Sequence, residues 1–217
     1  MTLLFITSTS GFDGATSLFN CYNKITSFSG SNCVKTFGIV YDQANGTHLL
    51  VMEYVKHKSL RQMLRVNFTG LSLEDKRKLA LSLCECVQML HDADIPLILG
   101  KISSNKFLVG EDMRVKMYDL AYCGKPEMAA RYLKGKNREY MPSDNIVAIE
   151  GSYDEKTECF IVGIILMEIV TCKSPSEAIR SQQVYPDPFH KVIRGLQEPD
   201  RSKRMAMKDA ARELQKS

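Results

Sequence analysis

No run of apolar residues in this chain is long enough to cross a bilayer. The longest, CFIVGIILMEIV from Cys159 to Val170, falls well short of the roughly 20 residues a membrane helix needs, so it is expected to be a buried core helix, with no membrane insertion. The N-terminal stretch MTLLFITSTS has no basic region and only a short apolar run, and so does not resemble a signal peptide. The seven cysteines are scattered, with no CxxC pair. That spacing indicates neither a disulfide framework nor a zinc site, and cytosol is the simplest compartment. Cys84 and Cys86 are read as small buried hydrophobes on a helix, pointing to different faces. No Lys/Arg block is interleaved with aromatics, and 29 basic against 25 acidic residues give only +4, too mild a charge for a nucleic-acid binder. His48, His57, His91 and His190 are dispersed and suggest no dyad; His91, at a helix end, is read as a charge facing the helix dipole. There is no internal repeat and no low-complexity tract.

What is present is an ordinary folding composition, 44% apolar and 25% charged over 217 residues, enough for one domain with a sizeable core or two small lobes sharing an interface. Leu3 to Thr7 reads as a short strand and Ser17 to Ser27 as a polar helix. VKTFGIVY (Val34 to Tyr41) and THLLVMEY (Thr47 to Tyr54) read as two strands, and the intervening Asn45-Gly46 pair is a strong hairpin signal. After Leu60 the period becomes helical. Ser72 and Asp75 make a capping box, and Leu79, Leu83, Cys86, Val87 and Leu90 then form one apolar stripe on a helix that ends before Pro96. KFLV and RVKMYDL flank the acidic turn Gly110-Glu111-Asp112 as a second small hairpin. The helix at Cys159 to Val170 is apolar on every face except Glu168, so it must be central. A last helix is expected from Met205 to Gln215. Strands first and mostly helices afterwards suit an α+β architecture in two unequal lobes.

Four segments in order then resemble the protein-kinase domain. VMEYVKHKSLRQML (Val51 to Leu64) resembles the joint between the lobes, and LGKISSNKFLV (Leu99 to Val109) the catalytic loop. VKMYDLA (Val115 to Ala121) is similar to the strand and metal-binding motif, and YDEKTECFIVGIILMEIVT (Tyr153 to Thr171) to the central helix of the large lobe, with Glu158 where most kinases carry Asp. Within kinases, FSGSNCVKTFGI, VMEYVKHKSLRQML, GKISSNKFLV and YDEKTE are most similar to the mixed lineage kinase domain-like family of pseudokinases, whose Gly-Lys replaces Arg-Asp. The resemblance spans Phe19 to about Lys173. It implies one kinase-like domain over residues 1–217, with a reduced N-lobe at about 1–54 (short sheet plus helix) and a mainly helical C-lobe at 55–217. The family's N-terminal four-helix killing module has no room in this length. A shortened chain of this type looks like the homologues of some poxviruses, which resemble host decoys.

Phosphoryl transfer needs a Gly-rich loop, a strand lysine, a catalytic Asp, and an Asn and Asp on magnesium. With Leu3 to Thr7 as the third kinase strand, this sequence offers no GxGxxG loop before it and no lysine before Lys24, itself read as a solvated surface residue. The catalytic-loop spacing falls on Leu99, Gly100, Lys101 and Ile102, with Lys106 at the magnesium Asn position unless the register slips to Asn105. Lysine at 101 cannot accept a proton near neutral pH without deep burial. At 106 it would face a dication, a repulsion of roughly 8 kcal/mol at about 4 Å and an effective dielectric near 20. Asp119 survives from the metal motif; one carboxylate is not a metal site, and it is read as an acid hydrogen-bonded at a strand end. No cofactor, metal or catalytic residue is therefore expected.

Between Asp119 and Met141 there is no serine or threonine, while Tyr122, Tyr132 and Tyr140 remain. Lys125, Arg131, Lys134, Lys136 and Arg138 outnumber Glu127 and Glu139 there, which describes either a solvated loop or, with Tyr122 and Tyr132, a surface for an acidic partner. The resemblance implies a host receptor-interacting protein kinase of necroptosis as partner and the host cytoplasm as location. A divergent kinase and a nucleotide-sensing switch are the alternatives.

Overall fold

The Asp42 carboxylate opens the first hairpin. In the computed structural model, which describes residues 3–8, 16, 19–25, 27, 30–56, 58–66, 70–120, 122–124, 140, 153–181 and 183–216, Asp42 accepts from the Ala44 amide at 3.0 Å and from the Asn45 side chain at 2.7 Å. Gly46 takes a φ of +62°, which only glycine adopts without steric penalty. The turn joins β2 (Thr36–Asp42) to β3 (Thr47–Glu53). β3 also pairs antiparallel with β1 (Leu3–Ser8), Leu3 lying opposite Glu53 and Ser8 opposite His48, so β3 is the central strand of three. Residues 19–25 are helical, burying Tyr22 and Ile25 and leaving Lys24 exposed, as expected.

The remainder is mainly helical. After α1 (Leu60–Val66), the Ser72 hydroxyl accepts from the Asp75 amide at 3.1 Å, and the Asp75 carboxylate accepts from the Ser72 amide at the same distance. This reciprocal cap starts α2 (Leu73–His91), which buries Leu79, Leu83, Cys86, Val87 and Leu90 along one stripe. β4 (Phe107–Val109) and β5 (Val115–Met117) form the second hairpin. The Val34 amide donates to the Met117 carbonyl at 2.8 Å, tying the first sheet to this hairpin. Cys84 and Cys86 are both buried, with free thiols. This is the α+β arrangement read from the sequence, a small antiparallel sheet with a helical stretch followed by a larger helical part.

At its centre lies α3 (Glu155–Thr171), whose first amides are satisfied by the Asp154 carboxylate, accepting from Lys156 at 2.9 Å and Thr157 at 3.1 Å. Ile161, Ile164, Ile165 and Ile169 are all buried, against α2 on one side and α4 (Pro175–Arg180) and α5 (Phe189–Leu196) on the other. α6 (Met207–Gln215) packs on α2. Gly163 lets α5 come close, because a Cβ there would stand 3.2 Å from that of Leu196. Among the described residues, no helix is long and apolar enough to cross a membrane.

Ile165 is fully buried, so Ile165→Ala removes packed methyl groups and leaves a cavity. It should lower unfolding free energy by about 2–5 kcal/mol in a denaturant titration; a loss near zero would contradict this packing.

Candidate functional site

Glu158, one turn into α3, has no exposed surface and yet carries a carboxylate. Its charge is satisfied by donors from three other segments. The amides of Leu99 and Gly100 donate at 3.2 and 2.8 Å, the Tyr153 hydroxyl at 3.1 Å, and Nε2 of His91, the last residue of α2, lies at 3.1 Å. Burial would lower the His91 pKa, but hydrogen bonds to Cys159 and Glu158 and the Glu158 charge outweigh it, holding the imidazole at about 9. His91 is thus one half of a buried ion pair, where the sequence suggested a charge facing the helix dipole. Its partner lies 67 residues away, out of reach of local pattern.

The loop held by Glu158 is sharply turned. Gly100 and Lys101 have φ of +64° and +44°, and a Cβ on Gly100 would stand 2.6 Å from the Tyr122 carbonyl oxygen, so glycine is required there. Ile98 and Gly124 exchange backbone hydrogen bonds at 2.9 and 3.0 Å, which closes residues 122–124 over the loop. A second buried carboxylate secures the loop's far end. Tyr140 donates its hydroxyl to Glu168 at 2.8 Å, and its oxygen lies 2.8 Å from the Ser104 hydroxyl. Glu168 was visible in the sequence as the one polar break in the apolar helix; its ligand Tyr140 was not. Buried Tyr140 belongs to this support, and burial followed by the Glu168 charge pushes its phenol up.

The loop sequence places Leu99, buried in the core, then Gly100 and Lys101, and ends at a short 3-10 turn, Ser104–Lys106. Asn105 is exposed and its side-chain oxygen accepts from Ser59 at 3.4 Å. Lys106 is the residue that turns inward. Only 5% exposed, it donates to the Asp119 carbonyl oxygen at 3.1 Å and its ammonium lies 3.3 Å from the Asp119 carboxylate. Burial pulls the Lys106 pKa down, while the Asp119 charge and hydrogen bond oppose the shift. The ammonium groups of Lys101 and Lys106 lie 4.0 and 5.1 Å from the centre of the Tyr122 ring, within the range at which a cation is attracted to an aromatic face. Lys125, Arg131, Tyr132, Lys134, Lys136 and Arg138 lie outside the described residues.

These groups do not fit a magnesium ion. The Asp119 carboxylate lies 3.3 Å from the buried Lys106 ammonium, which would repel a dication placed beside it. Among the described residues no cluster of histidine, cysteine and acids could hold a metal.

The ion pair is lopsided, since the acid is 41% exposed and the lysine almost wholly buried. Asp119→Asn should cost about 1–3 kcal/mol by leaving a buried cation short of its counter-charge, whereas Lys106→Met keeps the apolar stem, removes the desolvation and should be close to neutral. Chemical denaturation of the two variants tests this, and equal losses would contradict it. For His91 the folded pKa is raised above the unfolded value, so the folded state binds the extra proton between about 6.5 and 9. Its contribution is fully present below about 6.5 and is lost as pH rises through about 9. Stability of the parent chain minus that of His91→Gln, measured by urea unfolding from pH 6 to 10, should fall over this window; a flat difference would show that the pair is not charged.

A profile of the protein tyrosine and serine/threonine kinase family matches residues 7–209. Among curated proteins, the chain is 28% identical over 168 residues to human mixed lineage kinase domain-like protein, covering 72% of this chain and 35% of the relative. It is 29% identical over 167 residues to an LRR receptor-like serine/threonine-protein kinase of Arabidopsis thaliana, covering 69% of this chain and 13% of that protein. A putative serine/threonine-protein kinase/receptor of Acanthamoeba polyphaga mimivirus is 27% identical over 176 residues, 74% of this chain and 10% of the relative. The chain thus spans between a tenth and about a third of these relatives' length. The family match runs through the sheet, the Leu99 to Lys106 loop, Asp119 and the central helix that anchors them, and on it this chain belongs to the protein tyrosine and serine/threonine kinase family.

Proposed function

We propose that this chain is a pseudokinase that works by binding another protein, and that it is a viral homologue, of the poxvirus type, of mixed lineage kinase domain-like protein. One observation carries the first part. Where phosphoryl transfer needs a catalytic aspartate acting as base and a metal-binding amide, the loop supplies Lys101 and Lys106, and Lys106 is buried against the remaining motif acid, Asp119. The lysine at position 101 replaces the carboxylate that the reaction uses as base, and an internal cation at 106 stands against the dication that the reaction requires.

The finer reading is a decoy. In this reading the chain docks on the host receptor-interacting protein kinase of the necroptosis pathway, in the host cytoplasm, and lowers phosphorylation of the cell's own mixed lineage kinase domain-like protein. The absence of serine and threonine between Asp119 and Met141 supports it, because a Ser/Thr kinase docked there finds no acceptor in that segment. Lys125, Arg131, Tyr132, Lys134, Lys136 and Arg138 are the segment's candidates for contacting an acidic partner surface. The names of the plant and mimivirus relatives favour a second reading, a divergent protein kinase.

Expression in necroptosis-competent cells should give co-precipitation with the receptor-interacting kinase, reduced phosphorylation of its substrate and increased survival. Normal phosphorylation and death at high expression, with no complex, would sink the decoy. Incubation with MgATP separates the second reading: no phosphate transfer and a flat melting temperature are expected, whereas a ligand at a hundred times its dissociation constant would stabilise by about 2.7 kcal/mol and raise Tm by roughly 5–10 °C.

A further inference from the structure

Away from the loop, an open cavity of about 420 Å³ lies between the first sheet and the second hairpin, a volume in the range that small-molecule sites occupy. The Gly30–Asn32 turn, the start of β2, the end of β3 and Lys116 of β5 all contribute to its wall. An ion pair forms part of that wall. The Lys116 ammonium donates to Glu53 Oε1 at 2.7 Å, and the Lys35 amide donates to the same oxygen at 3.1 Å. Among the described residues the Lys116 ammonium makes no other bond and Glu53 Oε2 accepts none. Lys116 therefore has further N–H bonds to give, and Glu53 a second oxygen to accept with. Lys35, exposed at the same cavity, pairs with no carboxylate among the described residues; its ammonium stands 5.6 Å from the centre of the Phe37 ring. The hydroxyl of Ser31, on the turn, bonds to no described residue.

Two cations against one acid favour an anion, and the rest of the wall narrows its kind. No arginine lines the cavity, and Asn23 and Ser27 bring to it the last described turn of the N-terminal helix, its electronegative end. Both features disfavour a phosphate dianion. No aromatic ring lines the cavity, so a nucleobase finds no stacking partner. A small carboxylate that also carries a donor fits, its oxygens meeting Lys116 and its donor meeting Glu53 Oε2. We propose that this cavity binds a free acidic α-amino acid. The single net negative charge of such a ligand matches the excess cation, one carboxylate takes Lys116, the other takes Lys35, and the ammonium takes Glu53. Occupancy ties the end of β3 more firmly to β5. Lys101, Lys106 and Asp119 do not line the cavity, so the site is independent of the pseudokinase reading.

Titration of the nitrogen-15-labelled full chain with L-glutamate, followed by NMR, tests the site. The amide signals of Ser31, Lys35 and Glu53 should shift saturably. Lys116→Met should weaken binding by about tenfold or more, the loss expected for a hydrogen bond to a charged group. Ser31→Leu leaves the ion pair in place and adds bulk at the wall; it should weaken binding as well, and it keeps the test if Lys116→Met does not fold. Glutarate has the same chain without the amine and carries more negative charge, yet should bind more weakly because it offers Glu53 no donor. No saturable shift at high millimolar glutamate, unchanged binding in either folded variant, or glutarate or inorganic phosphate binding as tightly as glutamate would each overturn the assignment.

Discussion

A carboxylate with no exposed surface holds the centre of this molecule together. Placing an isolated charge in a protein interior is strongly unfavourable unless it is paired and hydrogen-bonded, so Glu158 is tolerable only while its neighbours stay in place. Those neighbours are the amides of Leu99 and Gly100, the Tyr153 hydroxyl and the His91 imidazole. They come from three other segments of the chain and converge on the same two oxygens. The left-handed backbone at Gly100, the close approach of Tyr122 to it and the end of α2 meet at this anchor.

Around this anchor a buried lysine and a half-exposed acid set the electrostatics of the site. Phosphoryl transfer calls for carboxylate and amide oxygens converging on a dication, and here the buried Lys106 ammonium lies 3.3 Å from the Asp119 carboxylate. The substitution is self-consistent. A buried ammonium needs an anion, and Asp119 provides one at 3.3 Å. The site thereby becomes part of the packed structure.

Much of this architecture was legible because it depends on short-range chemistry. Asn45-Gly46 dictated a turn, Ser72 and Asp75 a helix start, and the isoleucines of α3 a central helix, each within a few residues. The positions of Lys101, Lys106 and Asp119 came from motif spacing. What the spacing could not show was direction. Whether Asn105 or Lys106 turned inward is decided by Ser59, which takes the Asn105 side chain outward, and by Asp119, which takes Lys106 inward. Likewise His91 meets Glu158, and Tyr140 meets Glu168, only after α2, α3 and the loop have packed; no periodicity links residues 67 or 28 positions apart.

Glu158 and Glu168 stand ten residues apart on one rigid helix, a span of roughly 15 Å at the helical rise, and they fasten opposite ends of the loop from Leu99 to Lys106. The first takes the amides that open it, and the second, through Tyr140, takes Ser104 near its close. The bonds that Glu158 takes from this loop come from its backbone amides. Support and chemistry are therefore carried by different side chains, the support facing α3 and the Lys101, Lys106 and Asp119 cluster facing Tyr122. This division explains how the loop keeps its shape while its charges are exchanged. Replacing a support residue would expose a buried ion and collapse the loop, but replacing a reactive one requires only that the newcomer find a counter-charge, which Lys106 finds in Asp119.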